Sequence, residues 1–302
     1  MASWTPATIG NQAGRVALIT GGNSGIGWQT ARVLAGHGAR VMLAGRDSGR
    51  LEAAAAKIHA EVPAAKVDTL VLDLGNLKSI GAAAARVVDA GPLDLLFNNA
   101  GVMNLAERQT TADGFEMTFG TNHLGHFAFT AEVMPALRSA SAARVVTVSA
   151  IAARWGSGEL TDLMSEQKYR PMGAYAKSKR ANIVFTSELA RRLAGTPMTA
   201  VAVHPGAAMT NLQQHSQGAA SRLIMPLIAR LAMGSPEGAA WPSLYAATNP
   251  AVKSGSFVGP AGRRQDSGTP KPARLPRGAA DPATGASLWR ESERLTGVTF
   301  NV

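Results

Sequence analysis

Short apolar segments alternate with helix-like segments along most of the chain, and this alternation constrains the fold most strongly. Strand-like runs are predicted at residues 16–20, 40–44, 67–72, 93–97, 144–148 and 199–204. Helix-like spacing is found at residues 26–34, 49–60, 77–89, 119–140 and 174–194. Continuous apolar strands that alternate with helices are typical of a parallel sheet covered on both faces. The pattern predicts an α/β fold with one doubly wound parallel sheet.

The whole chain, residues 1–302, is predicted to be a single domain. The doubly wound core accounts for residues 14–260, and a C-terminal extension, 261–302, contains an amphipathic helix at 287–295. The basic stretch 262–278 is rich in Pro and Gly, so we expect a solvated surface segment without a regular element. Residues 212–234 are too apolar for an ordinary loop. We interpret them as a substrate lid, with a membrane-touching amphipathic segment as the alternative.

Charge and composition limit the partners. Thirty Lys and Arg against twenty Asp and Glu give a net charge of +10, which favours anionic partners. No aromatic residues interleave with the basic stretch, so we expect no nucleic-acid partner. The absence of cysteine excludes disulfides and thiolate metal sites, and His123, His126 and His204 lack the pattern of a metal site. With neither a signal peptide nor a transmembrane segment in the sequence, we expect a cytoplasmic protein.

A glycine cluster lies between the first strand and the first helix, at residues 20–27. Separated glycines at this place allow a tight turn, close approach to a pyrophosphate and packing of helix against sheet, while the helix N-terminus offers free N–H groups. The cluster predicts a dinucleotide site formed by Gly21, Asn23, Ser24, Gly25, Ile26 and Gly27.

Two further groups point to the same crevice. Asn99, Ala100 and Gly101 follow the fourth strand, and ligands of such sheets lie beyond the carboxyl ends of the strands. Tyr175 and Lys179 are four residues apart on a predicted helix, so their side chains share one face. A tyrosine, with an ordinary pKa of about 10, needs a nearby cation to act as an acid or base near neutrality. Lys179 is a candidate for that cation, although such a pair is more often a solvated helix face.

Taken together, these motifs resemble the short-chain dehydrogenase/reductase family, most closely the branch of retinol dehydrogenases and the WW-domain-containing oxidoreductase. The matching positions stand in family order over essentially the whole chain: residues 20–27, Asp73, Leu74, 98–101, Asn122 within 121–127, Tyr175, Lys179, Pro205, Gly206 and Thr210. The resemblance implies a Rossmann-type fold.

The resemblance also implies a role for each matching residue. Tyr175 would exchange a proton with the substrate oxygen as hydride moves to or from C4 of nicotinamide. Lys179 would hold the ribose and lower the tyrosine pKa, and Asn122 would position a water. Asp73 would accept from the adenine amino group, and Thr210 would contact the carboxamide. The implied cofactor-binding set is Gly21, Asn23, Ser24, Gly25, Ile26, Gly27, Arg46, Asp73, Leu74, Asn99, Ala100, Gly101, Tyr175, Lys179, Pro205, Gly206 and Thr210.

Cofactor preference is predicted from charge. An NAD-specific fold carries an acidic residue at the end of the second strand, where this chain has Ala44, Gly45 and Arg46. An arginine there can form a forked contact with a 2′-phosphate. The sequence therefore favours NADP(H) over NAD(H).

One position departs from the family pattern. The branch carries a Ser-Ser pair after the fifth strand, and its second serine helps to hold the substrate oxygen; this chain has Ser149 followed by Ala150. Either the protein lacks that serine by nature, or the sequence carries an engineered substitution, or the strand twists so that Ser149 takes its place. Adjacent strand residues point to opposite faces, so Ser149 can equally be a strand-end hydroxyl bonded to backbone.

The sequence thus predicts an NADP-dependent oxidoreductase that interconverts a carbonyl and an alcohol on a small lipophilic molecule, with Tyr175 as general acid and base. Two alternatives stay open. One is a double-bond reductase of the same fold, and the other is a catalytically impaired dinucleotide-binding sensor or scaffold. A homo-oligomer is compatible with the sequence.

Overall fold

The computed structural model describes residues 4–155, 159–206, 236–262, 265 and 267–302. The predicted lid at 212–234 and the predicted cofactor residue Thr210 lie outside these residues.

An eight-stranded sheet forms the centre of the described structure, with the strand order β3-β2-β1-β4-β5-β6-β7-β8. Its strands are β1 Val16–Thr20, β2 Arg40–Gly45, β3 Lys66–Val71, β4 Leu95–Asn98, β5 Arg144–Val148, β6 Thr199–Val203, β7 Phe257–Pro260 and β8 Pro270–Pro272. The first seven pair in parallel, and β8 pairs antiparallel with β7. The strand order reverses direction between β1 and β4, which opens a crevice at their carboxyl ends. The predicted doubly wound α/β fold is confirmed.

Helices cover both faces of the sheet. They are α1 Gly25–Gly36, α2 Ser48–Glu61, α3 Leu77–Asp89, α4 Met117–Phe119, α5 Gly125–Glu132, α6 Met134–Ser139, α7 Pro171–Arg192, α8 Pro236–Thr248 and α9 Pro282–Thr296. Side chains cap several of them: Asp47 accepts from the Arg50 N–H, Asn76 from the Ser79 N–H and Asp281 from the Thr284 N–H. Such caps satisfy N–H groups that have no partner within the helix.

The prediction of a single helix at residues 119–140 is wrong. The Glu116 carboxylate caps α4 by accepting from the Thr118 and Phe119 N–H groups. A π-helical turn, Gly120–Leu124, then leads into α5, and Val133 ends α5 before a proline in the first turn of α6. A proline is tolerated in the first turn of a helix but not in its interior, so the chain divides there.

The C-terminal region also differs from the expectation. Residues 262–278 were expected to be irregular, yet they contain β8, a three-residue edge strand in which Pro270 and Pro272 flank Lys271. An edge strand is where a sheet tolerates proline, because one side needs no N–H donor. Helix α8 and strand β7 were not predicted at all.

Helix α9 is an integral part of the core rather than a loose cover. Trp289 is 2% exposed, and its ring lies 5.2 Å from that of Phe127 and 4.6 Å from that of Phe300, measured between centroids. The Arg192 guanidinium lies 4.1 Å above the Trp289 ring. The C-terminal residues therefore fill the space between α5 and α7.

We expect Trp289→Ala to destabilise the protein by about 3–5 kcal/mol, because it leaves a cavity in this aromatic cluster. Trp155 provides the matched control: it is 54% exposed, so Trp155→Ala should change the free energy of unfolding by no more than about 0.5 kcal/mol. Urea unfolding measures both. Equal losses would contradict the assignment of α9 to the core.

Candidate active site

A cleft of about 350 Å³ lies at the carboxyl ends of the strands. It is lined by the following residues that the sequence predicted: Gly21, Asn23, Ser24, Gly25, Ile26, Gly27, Arg46, Asp73, Leu74, Asn99, Ala100, Gly101, Ser149, Ala150, Tyr175, Lys179, Pro205 and Gly206. Asn122 is buried and does not itself line the cleft. Residues from distant parts of the chain thus meet in one place.

The glycine-rich loop has the geometry that a dinucleotide phosphate needs. Gly21 and Gly25 have φ angles of +66° and +55°, which favour glycine. A Cβ on Gly27 would lie 2.4 Å from the Gly21 carbonyl oxygen. Ser24 is the N-cap residue of α1, but its side chain accepts no hydrogen bond from the first N–H groups of the helix. The first N–H groups of α1 therefore have no capping side chain and are suited to an anion.

The Thr20 hydroxyl joins the end of β1 to the loop after β4. Its oxygen accepts from the Asn99 N–H at 2.8 Å and the Ala100 N–H at 2.9 Å. The Asn99 side-chain amide in turn donates to the Thr20 carbonyl at 2.7 Å. Two of the predicted cofactor-binding segments are therefore fixed to each other by two side chains, those of Thr20 and Asn99.

His126 extends this network and was missed by the sequence reasoning. Its Nδ1 lies 3.0 Å from the Asn122 carbonyl, which can only accept, so Nδ1 carries the proton. Its Nε2 then accepts from the Thr20 hydroxyl at 2.9 Å. The ring is 1% exposed, and burial lowers the pKa of His126 to about 3, so it is neutral at physiological pH. No local pattern pairs it with a threonine 106 residues away.

Tyr175 and Lys179 project from α7 into the cleft. They are 8% and 3% exposed, and the Lys179 Nζ lies 5.8 Å from the Tyr175 ring centroid and donates to the Val148 carbonyl at 3.0 Å. Burial raises the pKa of Tyr175 to about 12 and lowers that of Lys179 to about 8. Desolvation of the phenolate is the cause of the rise, and the lowering of the tyrosine pKa by Lys179 stays a prediction.

Asn122 lies in the π-helical turn and clamps the segment after Gly101. Its Oδ1 accepts from the Val102 N–H at 2.7 Å, and its Nδ2 donates to the Val102 carbonyl at 2.9 Å and to the Ser178 hydroxyl at 3.0 Å. The side chain thereby connects this segment to α7. Its role in positioning a water stays a prediction.

Ser149 and Ala150 face different surroundings. The Ser149 hydroxyl, 1% exposed, donates to the Lys179 carbonyl at 2.6 Å. This is the backbone-bonded, strand-end role considered above. Ala150 lines the cleft and packs, with Met103 and Met172, against the cluster that contains Tyr175. The cluster that contains Tyr175 is therefore formed by apolar side chains apart from the tyrosine hydroxyl.

The rim at β2 and β3 carries the charged residues. Arg46 is exposed there, and the Asp73 carboxylate accepts from the Gly75 N–H at 2.9 Å. A Cβ on Gly45 would lie 3.4 Å or more from its neighbours. Steric crowding therefore does not explain why this position lacks an acidic side chain.

The described residues contain neither a metal-binding cluster nor a membrane-spanning helix. Within that part of the chain, no group of three or more His, Asp or Glu side chains is placed to hold a metal ion. The described helices include none that is both long and apolar enough to cross a bilayer. The cytoplasmic location and the homo-oligomer stay predictions.

Comparison with known proteins supports the motifs. The family model for short chain dehydrogenases matches residues 15–220. Human retinol dehydrogenase 13 is 39% identical over 94% of this chain and 85% of its own, and mouse polyprenol dehydrogenase is 38% identical over 97% and 87%. The crystal structure of an uncharacterised protein from Mycobacterium paratuberculosis superposes with a TM-score of 0.81, at 39% identity over 100% of both chains.

We expect Gly27→Ala to destabilise the protein and to abolish dinucleotide binding, because the new Cβ would force the backbone of the glycine-rich loop to move. Gly36→Ala, at the other end of α1, is the matched control, since its Cβ would meet nothing closer than 4.0 Å. It should stabilise the protein by about 0.4–1 kcal/mol. Urea unfolding and NADPH fluorescence measure the two effects. Undiminished NADPH binding by Gly27→Ala would contradict this account of the loop.

Proposed function

The chain belongs to the short chain dehydrogenase family, and on that premise we propose that it is an NADP-dependent oxidoreductase that interconverts a carbonyl and an alcohol on a lipophilic small molecule. The observation that carries the proposal is the burial of Tyr175 and Lys179 in the same cleft as the glycine-rich loop. Acid–base groups and a phosphate cradle in one cavity are what hydride transfer to a carbonyl requires.

The residues present fit a nicotinamide dinucleotide. The glycine-rich loop and the N-terminus of α1 would hold the phosphates, Asn99 to Gly101 would line the cleft beside them, and Lys179 would contact the ribose. When bound, the dinucleotide supplies or accepts the hydride.

The proton comes from this chain. With a pKa of about 12, Tyr175 is protonated at neutral pH and can donate its hydroxyl proton to the substrate oxygen during reduction. The phenolate left behind would be stabilised by the Lys179 ammonium, whose pKa of about 8 keeps it mostly charged at pH 7. Alcohol oxidation uses the same groups in reverse.

The lipophilic character of the substrate rests on the wall beside the tyrosine and on the relatives. Met103, Ala150 and Met172 surround the Tyr175 cluster with apolar surface. Two relatives are named for retinol and polyprenol, both long apolar alcohols.

A second candidate is a catalytically impaired protein that binds a dinucleotide as a sensor or scaffold. Ala150 is the observation that favours it, because the wall beside Tyr175 offers the substrate oxygen no hydroxyl at this position.

The preference for NADP(H) is tested at Arg46. In the wild type NADPH should bind at least about tenfold more tightly than NADH, since charge-assisted contacts to the 2′-phosphate contribute about 1.5–3 kcal/mol. Arg46→Ala should bring the two Kd values together. Arg50→Ala is the control, because Arg50 lies four residues on, pairs with Asp47 and does not line the cleft. Equal Kd values in the wild type would refute the preference.

Tyr175→Phe tests the reaction itself. Oxidation of NADPH with all-trans-retinal and a panel of aldehydes should fall at least about 100-fold, as general acid catalysis contributes about 10²–10⁴, while the NADPH Kd should stay the same. Tyr245→Phe, in α8 and outside the cleft, should retain activity. Retention of more than a tenth of the rate by Tyr175→Phe would show that the acid is misassigned.

A further inference from the structure

We propose that the site selects electron-poor carbonyl compounds, that is, aldehydes and ketones whose carbonyl bears an electron-withdrawing neighbour. This rests on the proposed function. The observation behind it is that Ala150 lines the cleft with a methyl group and packs against the apolar cluster in which, among the described residues, the Tyr175 hydroxyl is the one side-chain donor.

Ser149 does not supply the second donor. Its single hydroxyl proton is used by the Lys179 carbonyl at 2.6 Å, and its side chain is 1% exposed. Turning the hydroxyl toward the cleft would break this buried hydrogen bond, at a cost of about 1 kcal/mol. The serine is held where it is by the same helix that carries Tyr175.

Three other polar side chains that line the cleft each make a hydrogen bond within the protein. The Lys179 ammonium donates to the Val148 carbonyl, the Asn99 amide to the Thr20 carbonyl, and the Thr20 hydroxyl to His126. The remaining neighbours in the Tyr175 cluster, Met103 and Met172, have no hydrogen to donate. Among the described residues of this cluster, the Tyr175 hydroxyl is therefore the one side-chain donor.

This asymmetry has a chemical consequence. As hydride adds to the carbonyl carbon and the C=O π pair moves to oxygen, negative charge grows there until Tyr175 delivers its proton; NADPH becomes NADP⁺ and the carbonyl becomes an alcohol. A missing donor at such an oxygen typically costs about 10²–10³ in rate. An electron-withdrawing neighbour disperses the charge within the substrate and so compensates for the missing donor. Unactivated carbonyls lack that compensation and should react slowly.

The kinetic test uses para-substituted benzaldehydes from 4-methoxy to 4-nitro with saturating NADPH. The ratio of kcat/KM for the 4-nitro over the 4-methoxy compound should be at least about tenfold larger in the wild type than in Ala150→Ser. The gain from the added hydroxyl, up to about 100-fold, should fall mainly on the 4-methoxy compound. A deuterium isotope effect with 4-deuterated NADPH verifies that hydride transfer is being measured.

A spectroscopic experiment detects the hydrogen bond to the aldehyde oxygen without requiring turnover. The absorption band of 4-(dimethylamino)benzaldehyde moves to longer wavelength when its carbonyl accepts a hydrogen bond. With NADP⁺ present, the bound dye should absorb at longer wavelength in Ala150→Ser than in the wild type. Ala152→Ser is the matched control, because it adds a hydroxyl to the same apolar cluster at a residue that does not line the cleft. It should match the wild type in both the band and the substituent ratio.

The outcomes separate this inference from the proposed function. Turnover with equal substituent ratios and equal bands in the wild type and Ala150→Ser would refute the inference alone, and would mean that another donor already serves the oxygen. Absence of turnover by both proteins with every aldehyde would refute the proposed reaction and, with it, the inference.

Discussion

The hydrogen bonds of Thr20 hold the cleft together. This threonine ends β1 at the point where the strand order reverses, and its hydroxyl accepts from the Asn99 and Ala100 N–H groups while bonded to His126. The parallel strands β1 and β4 lie side by side here. Because no turn joins one directly to the other, other contacts must fix the loops that follow them. Because His126 is also bonded to the Asn122 carbonyl, one buried neutral ring sets the position of the glycine-rich loop, the loop after β4 and the π-helical turn together.

Helix α7 is the second fixed reference of the site. Lys179 contributes two groups to the end of β5: its ammonium donates to the Val148 carbonyl, and its own carbonyl accepts from the Ser149 hydroxyl. The helix is thereby bonded to the strand through a side chain and through the backbone at the same residue. Tyr175, one turn earlier, is positioned by these bonds without making any of them, so its hydroxyl is left for chemistry. Burial raises the pKa of Tyr175 and lowers that of Lys179.

Much of this arrangement was predictable from sequence. The boundaries of β5 and α3 coincide with the predicted runs at 144–148 and 77–89, because apolar periodicity reports burial directly. The cleft was predictable because strand ends of a doubly wound sheet converge. The division of the helix at 119–140 was missed because the continuous apolar residues there outweighed one proline. His126 could not be found, since its partner Thr20 is brought near only by the fold. Strand β8 was missed because a segment rich in Pro and Gly carries no periodicity.

The order of two residues at the end of β5 decides what the wall beside Tyr175 can do. The Ser149 N–H still donates to the Val203 carbonyl at 2.7 Å, so the strand geometry continues through this residue. Side chains of a strand alternate between its faces. Both residues line the cleft, but the Ser149 hydroxyl donates to the Lys179 carbonyl of α7, while Ala150 contributes only a methyl group. Had the two residues been exchanged, the hydroxyl would lie on the cleft wall at position 150, and the Lys179 carbonyl would lose the serine as its partner. A serine at position 149 thus bonds strand β5 to helix α7, and the residue at position 150 determines whether the wall gains a hydroxyl that has no partner in the protein.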